Sequence, residues 1–356
     1  MPDSRGTQRL VPDFHVRING TELPARARAD LLAVAVHEDV EAPGMFTLQL
    51  INWDMTQMKV TWADDDLMAE GNEVEIRMGY VDHLEPLMVG EITGLEPEYN
   101  GSEIPILTVR GYDRRHRLLR GQKTHSFTQM KDSDIASQIA GDAGLTAQAD
   151  DTRVTLDYVL QHNQTDLEFL QDRARRIGYE IVVEDKTLFF RPRQNASAEV
   201  LTLTRETDLL EFYPRLTSLT QVGQVNVRGW NVKDKAKVVG QAVAGDETTK
   251  MGGSTSGPSA SNRAFGSVSA SSVDRPVLSQ AEADQIARGR FNDMALAYIG
   301  GEGVCIGRTD LRAGKVIKIE GLGRRFSGLY YVTATSHTYM PATGYRTAIT
   351  VKRNAT

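Results

Sequence analysis

Hydrophobic residues fall at every second position through much of this chain. In EVEIRMGY (73–80), Val74, Ile76, Met78 and Tyr80 share one face, and Glu73, Glu75 and Arg77 take the other. MFTLQL (45–50) repeats the pattern with Phe46, Leu48 and Leu50. Alternation of period two predicts strands with one buried and one wet face. Further strands are predicted over 87–99, 104–111, 181–191, 199–204, 222–230, 314–320, 329–339 and 345–352. Turn residues punctuate them, as in EYNGSE and MPATGY.

Three stretches change to helical spacing. The first begins near Ser133, with Ile135, Ala136, Ile139, Ala140 and Ala143 on one side and Gly144 after it. The second opens on TDLE, in which Thr165 can cap the backbone N–H three residues on and Glu168 can reach back. Its stripe is Leu167, Leu170, Ala174 and Ile177, and Gly178 stands where a left-handed cap is wanted. The third opens on SQAE (279–282) and carries Ala283, Ala287, Phe291, Met294 and Tyr298 before Gly300 and Gly301 stop it. Between 252 and 272, twelve of 21 residues are Gly or Ser. Such a segment lacks the apolar surface to order itself and is expected to be a flexible loop.

The resulting outline is a first β-barrel domain over 1–120, an α+β insert over 121–195 and returning barrel strands over 196–240. A Gly/Ser-rich loop follows over 241–278, then a helix and second-barrel strands over 279–356. This order predicts a mainly β fold, two small β-barrels with an α+β insert, and excludes a parallel α/β sheet.

Composition narrows the function. The 356 residues are 40% hydrophobic and 25% charged, as in ordinary folded chains, with a net charge of −6. That balance argues against a general duplex-DNA binder, which needs a basic face. The single cysteine, Cys305 in GVCIG, excludes an internal disulfide and a cysteine-based zinc site, and reads as a small buried hydrophobe. No run approaches the roughly 18 apolar residues that span a bilayer, and the N-terminus lacks an apolar signal core. Synthesis in the cytoplasm, without membrane insertion, is the expectation.

Catalytic motifs are scarce. The seven histidines form no H-E-x-x-H motif and no i,i+4 pair. There is no G-x-S-x-G elbow. GLGRRFSG (321–328) has the wrong spacing for a phosphate loop and reads as a tight β-turn. Asp64, Asp65 and Asp66 read as a solvated turn or the cap of a short helix ahead of Leu67 and Met68, and Glu184-Asp185 as a hairpin turn. No catalytic, metal or cofactor residue is assigned.

The densest charge is in LTVRGYDRRHRLLRG (107–121), where a strand runs into Asp113, Arg114, Arg115, His116 and Arg117. A solvated edge, a protein–protein salt-bridge zone and a nucleic-acid contact all fit this cluster.

VRGYDRRHRLLRG, SDIASQIAGDAGL, TDLEFLQDRARRIGYEIVVEDKTLFFRP, VNVRGWNVKDK and LRAGKVIKIEGLGRRFSGLYYVTATSHTYMPATGYRT occur in that order. Together they resemble the phage late control D family over about 90–356: baseplate hubs of contractile tails and injection systems, similar to the N-terminal half of type VI secretion spike proteins. The resemblance implies a homotrimer in which each chain supplies two tube-type barrels. Six barrels then meet a hexameric inner tube protein on one side and a trimeric spike protein on the other, with other baseplate proteins around them and cargo or DNA in the lumen. It implies a structural part of a virion or particle, not an enzyme. Asp113, Arg114, Arg115 and Arg117 then become subunit-interface residues, with Asp113 or nearby acids as partners. Gly111 allows close backbone approach and Tyr112 packs. Because the chain ends at Thr356, the spike is expected to be a separate polypeptide. Two other readings stand: a tail-associated peptidoglycan-binding or wall-degrading protein acting through the 125–195 insert, and a cytosolic oligomeric β protein with a small ligand.

Overall fold

The structure, a computed structural model, describes residues 11–273 and 276–356. Its helices are α1 (Ala25–Asp30), α2 (Asp132–Asp142), α3 (Asp166–Arg176), α4 (Gly257–Phe265), α5 (Gln280–Leu296) and α6 (Gly323–Phe326), with 3-10 turns at Asp66–Met68 and Arg114–Leu119. The fold is mainly β, as the alternation predicts.

One 13-stranded sheet runs through both ends of the chain. From one edge, its path is Leu209–Leu216, Ile299–Ile306, Gly344–Arg353, Gly328–Met340, Leu31–Asp39 and Met45–Ile51. It continues through Ile106–Tyr112, His83–Glu98, Glu73–Tyr80, Pro12–Ile18 and Thr21–Glu22. Val316–Glu320 branches from Gly328–Met340 and carries Glu199–Thr204. Among the described residues this ladder stays open; no strand closes it into a barrel. The reason lies in Gly328–Met340, which serves two units. Its first half pairs with Val316–Ile319, its second half pairs with Val34–Asp39, and a bulge near Val332 separates the two. A bulge bends and twists a strand, so one strand passes from one core to the next.

Two cores lie along that path. Val34, Phe46, Leu48, Ile76, Met78 and Val109 belong to the first, and Leu203, Ile299, Ile317, Tyr330, Val332 and Val351 to the second. The insert has its own core, in which Phe127, Ile135, Ile139, Leu167, Leu170 and Phe190 are buried. Its capping box forms as the sequence predicts: Glu168 N–H donates to Thr165 Oγ1 at 3.2 Å and Thr165 N–H to Glu168 Oε2 at 2.8 Å. At α5 only half the device forms. Ser279 Oγ accepts from Glu282 N–H, but the Glu282 carboxylate takes the Leu278 N–H and pairs with Arg176.

Three expectations change here. Residues 224–243 do not return to a barrel. Gln224–Asn231 and Ala236–Val243 form a hairpin, Ser269–Ser272 joins it in parallel, and Val225, Val227, Val238 and Ala242 pack on Ile286 and Phe291 of α5. The 252–272 segment, expected to be a loop, holds α4 and that third strand. Its small residues serve close packing. A Cβ on Gly257 would lie 2.5 Å from Tyr298 Cγ, and fully buried Ser256 donates to Glu247 Oε1 at 2.6 Å. GLGRRFSG also holds one helical turn, α6, where a simple β-turn was expected.

Glycine on the small sheet sets the distance to α5. A Cβ on Gly240 would fall 2.1 Å from the Ala283 carbonyl oxygen. Gly240→Ala is expected to cost about 1–3 kcal/mol, because backbone must move. Gly141→Ala, on α2 with nothing within 4 Å of the new Cβ, should add about 0.5–1 kcal/mol. Urea unfolding of both variants reads the contrast; equal shifts would refute the close-approach account.

Candidate functional site: buried ionic joints

The arginine cluster follows the last strand of the first unit. Gly111, next to last in that strand, sits where a Cβ would meet Phe46 Cζ at 2.2 Å and the Glu91 carbonyl oxygen at 2.4 Å, so only glycine fits. Asp113 then caps the 3-10 turn: its Oδ1 accepts from Arg115 N–H at 2.8 Å and its Oδ2 from Gly44 N–H at 2.6 Å. Arg115 folds back onto Asp113 through Nε and Nη2, at 2.9 and 2.8 Å, and donates from Nη1 to the Asp39 carbonyl at 3.0 Å.

Arg114 is 1% exposed. One guanidinium nitrogen bonds Glu73 of the first unit, the other bonds Asp185 in the insert's hairpin turn, and Nε lies 3.5 Å from Glu91 Oε1. Glu91 also accepts from His116 Nε2 at 2.7 Å and from Arg117. Burial pushes the Glu91 carboxyl up, but the Arg117 and His116 hydrogen bonds outweigh it and hold its pKa below the usual range. The structure therefore gives Asp113, Arg114, Arg115 and Arg117 partners within the chain, where they fasten the insert to the first β unit. The acidic neighbours are Asp113, Glu91, Glu73 and Asp185.

Two further joints have no sequence signal, because their members lie far apart along the chain. Arg312, beside the second core, grips Glu38 of the first unit at 2.8–2.9 Å through Nε and donates to the Pro86 carbonyl at 3.2 Å. Ala313 N–H and Thr335 Oγ1 also donate to Glu38 Oε2. Burial raises the Glu38 pKa, and the Arg312 contacts more than reverse that. In the third joint Tyr331 of the shared strand donates to Glu180 of the insert, whose other oxygen accepts from Arg191 Nε at 3.1 Å. Arg193 pairs with Asp293 of α5. Here burial dominates and holds both the Glu180 and Tyr331 pKa values up.

His337 is fully buried beside the second joint. Its Nε2 is 2.8 Å from the Leu311 carbonyl, so Nε2 carries the proton and Nδ1 accepts from Tyr345 Oη at 2.8 Å. Burial lowers its pKa to about 4. The unfolded chain binds this proton near pH 6.5 and the folded one only near 4, so stability falls as pH drops through that window. The expected loss is about 3 kcal/mol, from some 2.5 units at 1.36 kcal/mol each. Glu38 and Glu91, with lowered pKa values, lose stability with the same sign but below about pH 4.5. Urea unfolding at pH 7 and pH 5 in the parent and in His337→Gln separates this histidine from His37, whose lowered pKa acts with the same sign, and Glu180, whose raised pKa acts with the opposite sign. The same pH dependence in both chains would exclude His337 as the cause.

Among the described residues no three of His, Cys, Asp and Glu form a metal-holding group. Cys305 is buried, donates to the Thr347 carbonyl, and has its pKa pushed up by burial to about 12, which keeps it a thiol. Asp64–Asp66 form the predicted cap, with Asp65 Oδ1 accepting from Leu67 N–H. No helix among the described residues is long and apolar enough to cross a membrane.

This architecture, a branched sheet through two β cores with an α+β insert, is similar in fold to tail proteins of known structure. A 43 kDa tail protein of prophage MuSo2 from Shewanella oneidensis superposes with a TM-score of 0.70 over 96% of this chain and 98% of that one, at 11% identity. A tail protein from Neisseria meningitidis MC58 gives 0.68 over 96% of each chain at 13% identity. An E. coli protein described as a type VI secretion component with structural similarity to the T4 tail proteins gp27 and gp5 gives 0.62, covering 96% of this chain and 77% of that one at 13% identity. No curated protein sequence matches this chain. Residues 8–340 match the family described as the Alg8 N-terminal domain, and the chain belongs to that family.

Proposed function

We propose that the protein is a structural baseplate hub of a contractile tail or injection particle, of the late control D type. In this reading three copies form a symmetry adaptor between a hexameric inner tube and a trimeric spike. The observation that carries the proposal is the shared strand. Gly328–Met340 pairs with both β units, so one chain holds two cores side by side. Threefold repetition of such a pair presents six units. The three ionic joints support it, since a load-transmitting ring needs units that do not swing independently. The full-length likeness in fold to tail proteins supports it as well. The proposal assigns the chain no reaction and no cofactor, and places it after cytoplasmic synthesis in an assembled particle. Cryo-electron microscopy of the purified chain tests it. A threefold annulus with six β units around a channel is the expected result, and a monomer at micromolar concentration or a ring of three units overturns it.

A further inference from the structure

The three-stranded sheet on α5 has one covered face and one open face. Its inner residues pack on the helix. On the outer face the register sets Trp230 opposite Lys237, Arg228 opposite Val239 and Asn226 opposite Gln241. Trp230, Val232 and Val239 are each exposed by about half or more. From 224 to 243 the chain carries Arg228, Lys233, Lys235 and Lys237 against Asp234 alone. Lys233 is paired with Asp157, while Arg228, Lys235 and Lys237 have no ion-pair partner among the described residues. This face is therefore basic and aromatic on a chain whose net charge is −6.

The opposite character gathers at one end of the first β unit. The antiparallel pairing of Ile51 with Ile106 brings the 52–60 turn and the 97–105 hairpin tip to the same end, and Asn52 N–H bonds the Pro105 carbonyl at 2.8 Å. Met55, Met58, Tyr99 and Ile104 are all exposed there. Over 52–72 and 94–105 eight carboxylates face a single lysine, Lys59. Of these, Asp64, Asp66, Glu70 and Glu98 have no cationic partner among the described residues, and among those residues no hydrogen bond or ion pair joins this end to the basic face.

We infer that the occupant of the basic sheet face is the acidic end of a second copy of this chain. Each surface combines exposed large apolar groups with unpaired charge of one sign, and the signs are complementary. Trp230 with flanking cations has the make-up of an interface centre, and Met and Tyr are favoured on the opposing side. The contact is heterologous, one face meeting a different face, and such contacts generate closed rings when the rotation suits. The inference rests on the proposed ring and names the surfaces that would build it.

Charge swapping in the full-length protein tests it. Self-association is followed by sedimentation velocity at two salt concentrations. Lys235→Glu with Lys237→Glu, and separately Asp64→Lys with Glu98→Lys, should each weaken association by about tenfold or more. Trp230→Ala should weaken it as well. The four-residue variant carrying both reversals should return to within about threefold of the parent, because the attraction is restored with its polarity exchanged. All four positions are exposed, so unfolding midpoints should stay within experimental error. Association that ignores either reversal, or that the combined variant fails to restore, overturns the inference and leaves the ring reading standing. A reversal that abolishes capture of a purified tube or spike protein but not self-association also overturns it, in favour of that partner. A parent chain that stays monomeric at all concentrations overturns both.

Discussion

Replacing Arg114 with alanine is expected to lower folding stability by about 3–5 kcal/mol, the range for breaking one partner out of a buried ion pair. Arg114 is the least exposed charged side chain of the cluster, and it touches carboxylates from two units. Removal leaves a cavity and brings Glu73 and Asp185 together without their shared cation. Both carboxylates are half exposed and can rehydrate, which holds the loss toward the lower end of the range. Glu91 keeps Arg117 and His116. Arg114→Met, which refills the volume, should recover part of the loss, whereas Arg114→Glu places a fourth carboxylate in the same pocket and should prevent folding. Urea unfolding followed by tryptophan fluorescence reads all three. A loss below about 1 kcal/mol for alanine, the level of an exposed pair, would show that the joint is not holding the units together.

Arg312→Ala is the second large effect, toward the lower end of the same range of about 3–5 kcal/mol, because the Arg312 side chain is 31% exposed. Glu38 would remain in a buried position with only Ala313 N–H and Thr335 Oγ1 to serve it. The pH signature separates this from simple loss of packing. In the parent, Glu38 has a lowered pKa, so it contributes stability above its unfolded value of about 4.3 that disappears as pH falls. Without Arg312, burial is opposed only by the nearby His337 and the Ala313 N–H, and that pKa rises. The difference between parent and variant should therefore shrink as pH drops below about 5. Glu38→Gln in the Arg312→Ala background should recover stability at neutral pH, because no buried charge is left unpaired. A pH-independent difference would assign the loss to packing instead.

These two arginines differ in how far sequence reasoning reaches them. Arg114 and its neighbours stand out as a charge cluster directly after a strand, and Asp113 at its head is a readable cap. What the cluster grips is not readable: Glu73 and Asp185 lie 41 and 71 residues away, on two different units. Arg312 sits alone in an unremarkable turn, and its partner is 274 residues distant. The strand Ile299–Ile306 shows the same limit in another form. IGGEGVCI reads as a helix stop, yet it pairs on both sides within the sheet. Its glycines leave room for Phe212, which would lie 2.5 Å from a Cβ on Gly301.

The sequence by itself determined which residues alternate on strands and where α2, α3 and α5 begin. Alternation and capping act over a few neighbouring residues, so their signals are printed locally in the chain. Only the tertiary structure decided that the two β units share one strand, that the Gly/Ser segment holds α4, and that the arginines point inward. Each of those outcomes depends on burial supplied by elements tens to hundreds of residues away, and a glycine or an arginine carries no mark of which distant surface will cover it.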